Sequence, residues 1–432
     1  MNLRLPSVRT ERAPALLIGR PRVALWRQVL SFAFGFSIQF DVLIGGGGQG
    51  ASATGGYGYR LIDFLSVVAV GLLAIHCFNP KRILLLSIYG VVVVFLFAAP
   101  ALSSDPRTAI LTYHYILYAF ATLYIAILVH DETVLERFCL GLVVGLGATI
   151  PIFVLQAADY SQALIAWGLM PGYAPDFVNS NVDFVRYSGM LGHPNEAGHV
   201  ATLSAAGGAY FALVRRRMFP LVMVACALIL VFYYTRSRGG LLAGGAVLVI
   251  PFVLTRGRAS VFRVVTMIAL LSLSLIFISQ LDFVASRFAD DQNSAENFSN
   301  RVDSVLAGLQ VMFEHPFGMP LGEFLSSVGS ESGGVLSPHN GFIFLGGIFG
   351  IFPLIAFLAS CISNFRVRSN EDVFFALLTF QVMISLLFEQ LPGSYTYAVV
   401  MCLICAQAFL KMPFCFELLR RSPAVVLRRR AA

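Results

Sequence analysis

The sequence predicts an all-α fold: a polytopic membrane helical bundle of about 12 transmembrane helices. Hydrophobic residues make up 57% of the 432 positions and charged residues only 12%, against about 25% charged in an average soluble domain. Mean hydropathy is +0.78. Apolar runs of roughly 20 residues, the length that crosses a bilayer, recur from one end of the chain to the other. This composition excludes a soluble enzyme and a disordered chain.

Within a few residues at each end, the expected spans are 25–44, 61–78, 83–101, 108–129, 133–156, 189–213, 219–234, 239–255, 261–281, 340–363, 373–391 and 394–411. The net charge of +7 matters less than where the basic residues fall. With a cytoplasmic N-terminus, 23 of the 30 Lys and Arg lie on inner segments and 7 on outer ones. That bias, correct in its alternation across all the spans, predicts that both ends face the cytoplasm. The resulting layout is a basic N-terminal tail (1–24), a transmembrane domain (25–411) and a basic C-terminal tail (412–432). The two long outer loops are 157–188 and 282–339. A signal peptide ending near Ala51-Ser52-Ala53 is the competing reading of the N-terminus, but losing one span would break the alternation.

Several segments carry no expected chemistry. The Gly-rich stretch 45–56 lacks the Gly-Lys-Ser/Thr continuation of a phosphate loop and reads as a flexible outer loop. The seven cysteines sit in apolar runs or near inner ends, so no external disulfide framework is expected, and Cys402-x-x-Cys405 has no His or acidic company for a metal. The pairs Gly141/Gly145, Gly240/Gly244 and Gly346/Gly350 have the four-residue spacing of close helix contacts. In the second long loop, Val302, Val305, Leu306, Leu309 and Phe313 predict an amphipathic helix against the bundle or the membrane surface.

The outer Arg residues are scarce and therefore informative. Arg236 and Arg238 stand between two spans with almost no loop, where two guanidiniums either snorkel to headgroups or grip an anionic group. Arg186 precedes Gly192-His193-Pro194-Asn195, with Asn195 a possible helix cap and Asp183 a possible ion-pair partner. His193 and His199 are six apart, not the i, i+4 spacing of a helical metal pair, and read as polar packing. Arg301 opens the amphipathic stretch beside Asp303. His339, in Ser337-Pro338-His339-Asn340-Gly341, lies where the long loop returns to the membrane. Nearby guanidiniums would disfavour its protonated form, leaving a neutral imidazole able to accept a proton.

These residues together resemble the bacterial O-antigen ligase and Wzy-type polysaccharide polymerase superfamily. His339-Asn340, nine residues, then Gly350 is similar to the ligase motif and departs from it at Pro353; Ser237-Arg238-Gly239 is similar to the family's Ser-Arg-Gly signature. Asn300-Arg301 followed by His315-Pro316-Phe317-Gly318, and Arg186 through Asn195, resemble two further family elements. The likeness covers roughly 186–353. It implies a GT-C-like, metal-independent, inverting glycosyltransferase of the bacterial inner membrane with a periplasmic active site and no cofactor. Its partners would be an undecaprenyl-diphosphate-linked glycan and an acceptor glycolipid, either lipid A core or a second lipid-linked repeat unit; no nucleic acid is expected. His339 would be catalytic, with Arg186, Arg236, Arg238, Arg301 and Asn340 binding the diphosphate or substrate. Two readings from other classes are a secondary transporter or lipid-linked oligosaccharide flippase, and a non-catalytic partner in polysaccharide export. Transporters tend to keep ionisable residues near the bilayer midplane, whereas these cluster at outer boundaries.

Overall fold

A computed structural model describes residues 23–40, 43–44, 59–76, 80–170, 177–178, 185–191, 193–254, 291–332, 338–389, 391–412 and 415. Within them the chain is mostly helical, as expected of a helical membrane protein. The first group of helices is α1 (Leu25–Gln39), α2 (Leu61–His76), α3 (Pro80–Ala101), α4 (Pro106–Val129), α5 (Glu132–Ala157), the short α6 (Ser161–Ala166), α7 (Pro194–Leu213), α8 (Phe219–Thr235) and α9 (Arg238–Leu254). The second is α10 (Asp291–Glu314), α11 (Leu321–Glu331), α12 (Gly341–Phe349), α13 (Ile351–Asn364), α14 (Asn370–Phe388) and α15 (Tyr395–Leu410). Two minimal antiparallel pairs join loop segments: β1 (Leu43–Ile44) with β2 (Tyr59–Arg60), and β3 (Phe177–Val178) with β4 (Val185–Arg186). Three described helices, α4, α5 and α14, are long and apolar enough to cross a membrane, and six shorter apolar helices accompany them. The expected span 261–281 and the whole Gly-rich stretch 45–56 lie outside the described residues.

Helix starts follow the local sequence. Asp105 accepts from the backbone N–H groups of Arg107 and Thr108 ahead of α4, with Pro106 in the first turn. Ser369 and Asp372 form a reciprocal capping box at α14. The centre of the bundle is α7, buried along nearly its whole length and packed against α5, α8, α9 and α14. Small residues permit that crowding. A Cβ on Gly244 would stand 2.9 Å from Thr202, and one on Gly141 would collide with the Phe32 backbone of α1. Two of the three expected glycine pairs thus lie in close helix contacts.

The third pair behaves differently. The span expected at 340–363 is two helices, broken at Gly350, whose φ is +96°. A Cβ there would lie 2.8 Å from the Phe317 carbonyl carbon. The segment 316–319 presses into the break: Ile351 N–H donates to Pro316 O (2.9 Å) and Met319 N–H to Gly347 O (3.0 Å). Gly318, at φ +82°, lies so close to the Ile348 carbonyl that no side chain fits. The glycines of the Pro-Phe-Gly segment and of position 350 therefore serve one backbone contact. The first expected span is also shorter, because α1 ends at Gln39 and Leu43–Ile44 leaves to pair with β2. The loop 282–339 contains two helices, α10 and α11; on α10, Val305 and Leu309 pack on the core while Val302, Leu306 and Phe313 are exposed.

Charged pairs gather the opposite helix ends. Arg215 bridges Glu132 (3.3 Å) and Glu136, His130 meets Glu371 (2.6 Å), and Lys411 meets Asp372 (2.7 Å). All belong to ends expected on one side. Gly350→Ala is expected to destabilise the protein by about 1–3 kcal/mol, because it forces a side chain into a left-handed position with no room. A thermal denaturation series in detergent checks this; an unchanged midpoint would remove the structural role given to the break.

Candidate active site

At the other end of the bundle, a continuous set of polar contacts joins four segments. Arg186, at the end of β4 and only 5% exposed, donates from Nε to Thr235 O (2.9 Å) and from Nη2 to Asn195 Oδ1. Asn195 donates from Nδ2 to Glu389 Oε2 (3.0 Å). The other carboxylate oxygen, Oε1, lies 3.4 Å from His339 Nδ1. A carboxylate only accepts, so this contact puts a proton on Nδ1; in a neutral ring, Nε2 would be the atom that accepts one.

Each position follows from its local sequence. Pro338 and Asn340 flank His339, which sits in the left-handed region at φ +41°. Asn340 Oδ1 accepts from Phe342 N–H (3.0 Å) and Ile343 N–H (3.2 Å), starting α12 immediately after the histidine. Ser237 Oγ accepts from Gly240 N–H (3.2 Å) to start α9, while Gly239 and Gly240 clear space for α7: a Cβ on Gly239 would lie 2.8 Å from His199 Nε2. The Ser-Arg-Gly-Gly sequence is thus a cap and a contact surface carrying one long side chain. Below Glu389, His199 Nδ1 contacts Ser385 Oγ (3.0 Å), and Gln381 reaches Ser385 (3.0 Å), Tyr397 (3.2 Å) and Thr202. That buried seam ties α14 to α7 and α15 directly beneath the site.

Glu389 follows the last residue of α14 and is 7% exposed. Burial alone would raise its carboxyl, but the hydrogen bond and charge of His339, with His193 and His199 behind, outweigh burial and hold it at about 2. His193 lies below the ordinary histidine range: burial pushes it down, Glu389 pulls it up, and Arg186, His339 and Arg301 oppose that pull. A neutral His193 ring suits its contact, since Nδ1 accepts from Asn195 N–H (3.2 Å).

The structure brings Arg186 and His339 together through Asn195 and Glu389. Arg301, exposed on α10, is near enough for its charge to act on His193 and His199. Arg236 caps α8 at φ +53° and is half-buried, and that burial lowers its pKa against the pull of Tyr233 and Tyr187. Arg238 is exposed in the first turn of α9. Asn340, expected to bind substrate, uses its side-chain oxygen as a helix cap. Asn195 is not the cap of α7; His193 is, which frees the Asn195 side chain to bridge Arg186 and Glu389. Asp183 lies outside the described residues. The sequence reading missed Glu389, although it is the only acidic residue in the expected span 373–391, and an ionisable group inside an apolar span is itself a pointer to function.

The fold and this polar end define a helical membrane protein with a His–carboxylate pair wired to a buried guanidinium. Residues 221–358 match the family model described as O-antigen ligase. That match supports the likeness to the O-antigen ligase and Wzy-type superfamily that the motifs carry, and with it a glycosyltransferase-type enzyme acting on lipid-linked glycan in a membrane. No curated protein matches the chain. The matched stretch holds Arg236, Arg238, Arg301, His339 and Asn340, and leaves Arg186, Asn195 and Glu389 outside.

A carboxyl held below its unfolded value stabilises the fold above that value and loses this contribution as pH falls toward the folded one. Between about pH 4.5 and 2, the wild type is expected to lose a part of its stability that Glu389→Gln, with nothing to protonate there, does not lose. Parallel thermal denaturation of the two proteins across that window measures it; identical slopes would count against a paired, ionised Glu389.

Proposed function

We propose that the protein is an inverting glycosyltransferase of the bacterial inner membrane, with about twelve spans, cytoplasmic termini and its His339 site facing the periplasm. It moves a glycan from an undecaprenyl-diphosphate carrier to a hydroxyl of an acceptor glycolipid. The observation that carries this reading is the His339–Glu389–Asn195–Arg186 connection: a base and its orienting carboxylate are joined to a buried cation at one end of the bundle.

In this reading the acceptor hydroxyl oxygen attacks the anomeric carbon from the face opposite the diphosphate. Its proton passes to His339 Nε2 as the new glycosidic bond forms. The bond from the anomeric carbon to the diphosphate oxygen breaks, and the diphosphate leaves with that electron pair. Glu389 holds the imidazole tautomer and balances the imidazolium that forms, a division of labour also seen in other carboxylate–histidine pairs. The sequence reading set only guanidiniums around this histidine and did not include the carboxylate. Charge developing on the leaving diphosphate would be met by guanidiniums, for which exposed Arg238 and Arg301 and buried Arg186 are the candidates. The driving force resides in the diphosphate linkage, so the reading includes neither a nucleotide nor a metal-dependent step.

Purified protein with its lipid-linked oligosaccharide, followed by gel analysis, tests the proposal. His339→Ala is expected to lower transfer by about 10²–10⁴-fold. Arg238→Ala and Arg301→Ala should each lower it about 10²-fold, with thermal stability changed by less than about 0.5 kcal/mol because both side chains are exposed. A ladder of longer lipid-linked chains would assign polymerase activity; product formed only after lipid A core is added would assign ligase activity. Normal transfer by His339→Ala would refute the general-base role.

A further inference from the structure

On the flank of the bundle, α3, α4, α13 and α15 enclose a groove of about 400 Å³ that the site does not use. Its walls include Val92, Leu96, Tyr115, Phe357 and Cys405, and Arg366 and Lys411 stand at one end. That end is the one that carries Asp372 and Glu371, opposite His339. Val92 is 43% exposed, so the groove communicates with the lipid-facing surface.

Three features identify the occupant. Three hydroxyls along the walls are already engaged within the protein. Tyr89 donates to Ala119 O (3.1 Å), Tyr115 to Pro392 O (2.9 Å) and Ser360 to Ala356 O (2.7 Å). Such walls offer an occupant mainly apolar contact, which suits a hydrocarbon chain and not a sugar or nucleotide. The wall formed by α13 and the residues just after it runs from Pro353 to Arg366, about 20 Å at ~1.5 Å per residue. One leaflet contributes roughly 15 Å of hydrocarbon, so the groove spans one acyl chain with room for the start of a headgroup. Charge is confined to the mouth. Lys411 is neutralised by Asp372 at 2.7 Å, which leaves exposed Arg366 as the net positive charge there.

We propose that this groove is a binding site for one anionic phospholipid, with its phosphate at Arg366 and one acyl chain lying along α13 towards Leu345. Cys402 and Cys405 then belong to the wall of a lipid site. The proposal is independent of the glycosyltransfer reading, and its test does not use activity.

Native mass spectrometry of the full chain, purified in detergent and titrated with phosphatidylglycerol or phosphatidylcholine, reads it out. The wild type should retain one phosphatidylglycerol per chain and bind phosphatidylcholine about fivefold more weakly, the contribution of a single cation near a lipid headgroup. Arg366→Ala should abolish that preference. Ser360→Phe, which fills the trough, should weaken retention of both lipids; Arg366 is exposed, so its variant decides the question even if Ser360→Phe fails to fold. Equal retention in wild type and Arg366→Ala, or preferential retention of an added polyprenyl phosphate, would overturn the assignment.

Discussion

A carboxylate taken out of water at the end of a membrane helix is tolerated only when donors and cations surround it, since removing one partner of a buried charge costs several kcal/mol. Glu389 sets that requirement, and its neighbours answer it. His339 comes from the start of α12, Asn195 from the first turn of α7, and Arg186 completes the chain of contacts from β4. Arg186 in turn holds the last carbonyl of α8 through Thr235. Elements separated by nearly two hundred residues in sequence are fixed together by one buried charge. In the proposed reaction the same charge also orients the imidazole, so fold and chemistry would draw on a single interaction.

The interaction demands close approach of helices, and α7 provides it. Gly198 lies against Ser237 and Thr235, Gly207 against the Cys139 backbone, and Gly208 against Leu221. With no hydrophobic driving force between helices in lipid, tight van der Waals contact and shared hydrogen bonds hold the bundle. The seam of Thr202, Gln381, Ser385 and Tyr397 supplies the second part below the site. Polar groups that would be costly singly in hydrocarbon are joined here into a connected set, the floor on which Glu389 rests.

Most of the helical architecture was legible because its causes are local: apolar runs, capping residues and Arg at the ends. The site was legible in part for the same reason. Arg186, Arg301 and His339 stand out as polar residues at boundaries, and their motifs name a family. Glu389 escaped because a lone acid at the end of an apolar run resembles an ordinary helix terminus until its partner is known, and that partner is fifty residues away. Asn195 was misread for a related reason. After Pro194 the local rule favours an Asn cap, but the buried carboxylate claims its side chain and His193 caps instead. The break at Gly350 was hidden because apolar residues continue on both sides of it; what interrupts the helix is backbone from a distant loop.

That break bears on how His339 and Arg301 keep their separation. α10 carries Arg301 and α12 follows His339, and the two helices meet where side chains seat on glycines: Ile343 and Pro338 on Gly308, and Met312 on Gly346. The 316–319 segment then threads from α10 into the gap between α12 and α13 and hydrogen-bonds to both sides of it. A long loop with no such anchor would let Arg301 wander relative to His339. Here the guanidinium helix and the imidazole are attached to one rigid unit, and a loss of about 1 Å in such alignment can cost two orders of magnitude in rate. The glycines of the Pro-Phe-Gly segment and of position 350 lie well away from His339 along the chain, yet they set the spacing on which transfer would depend. A backbone contact is thus what these glycines provide in the motif that resembles the family's.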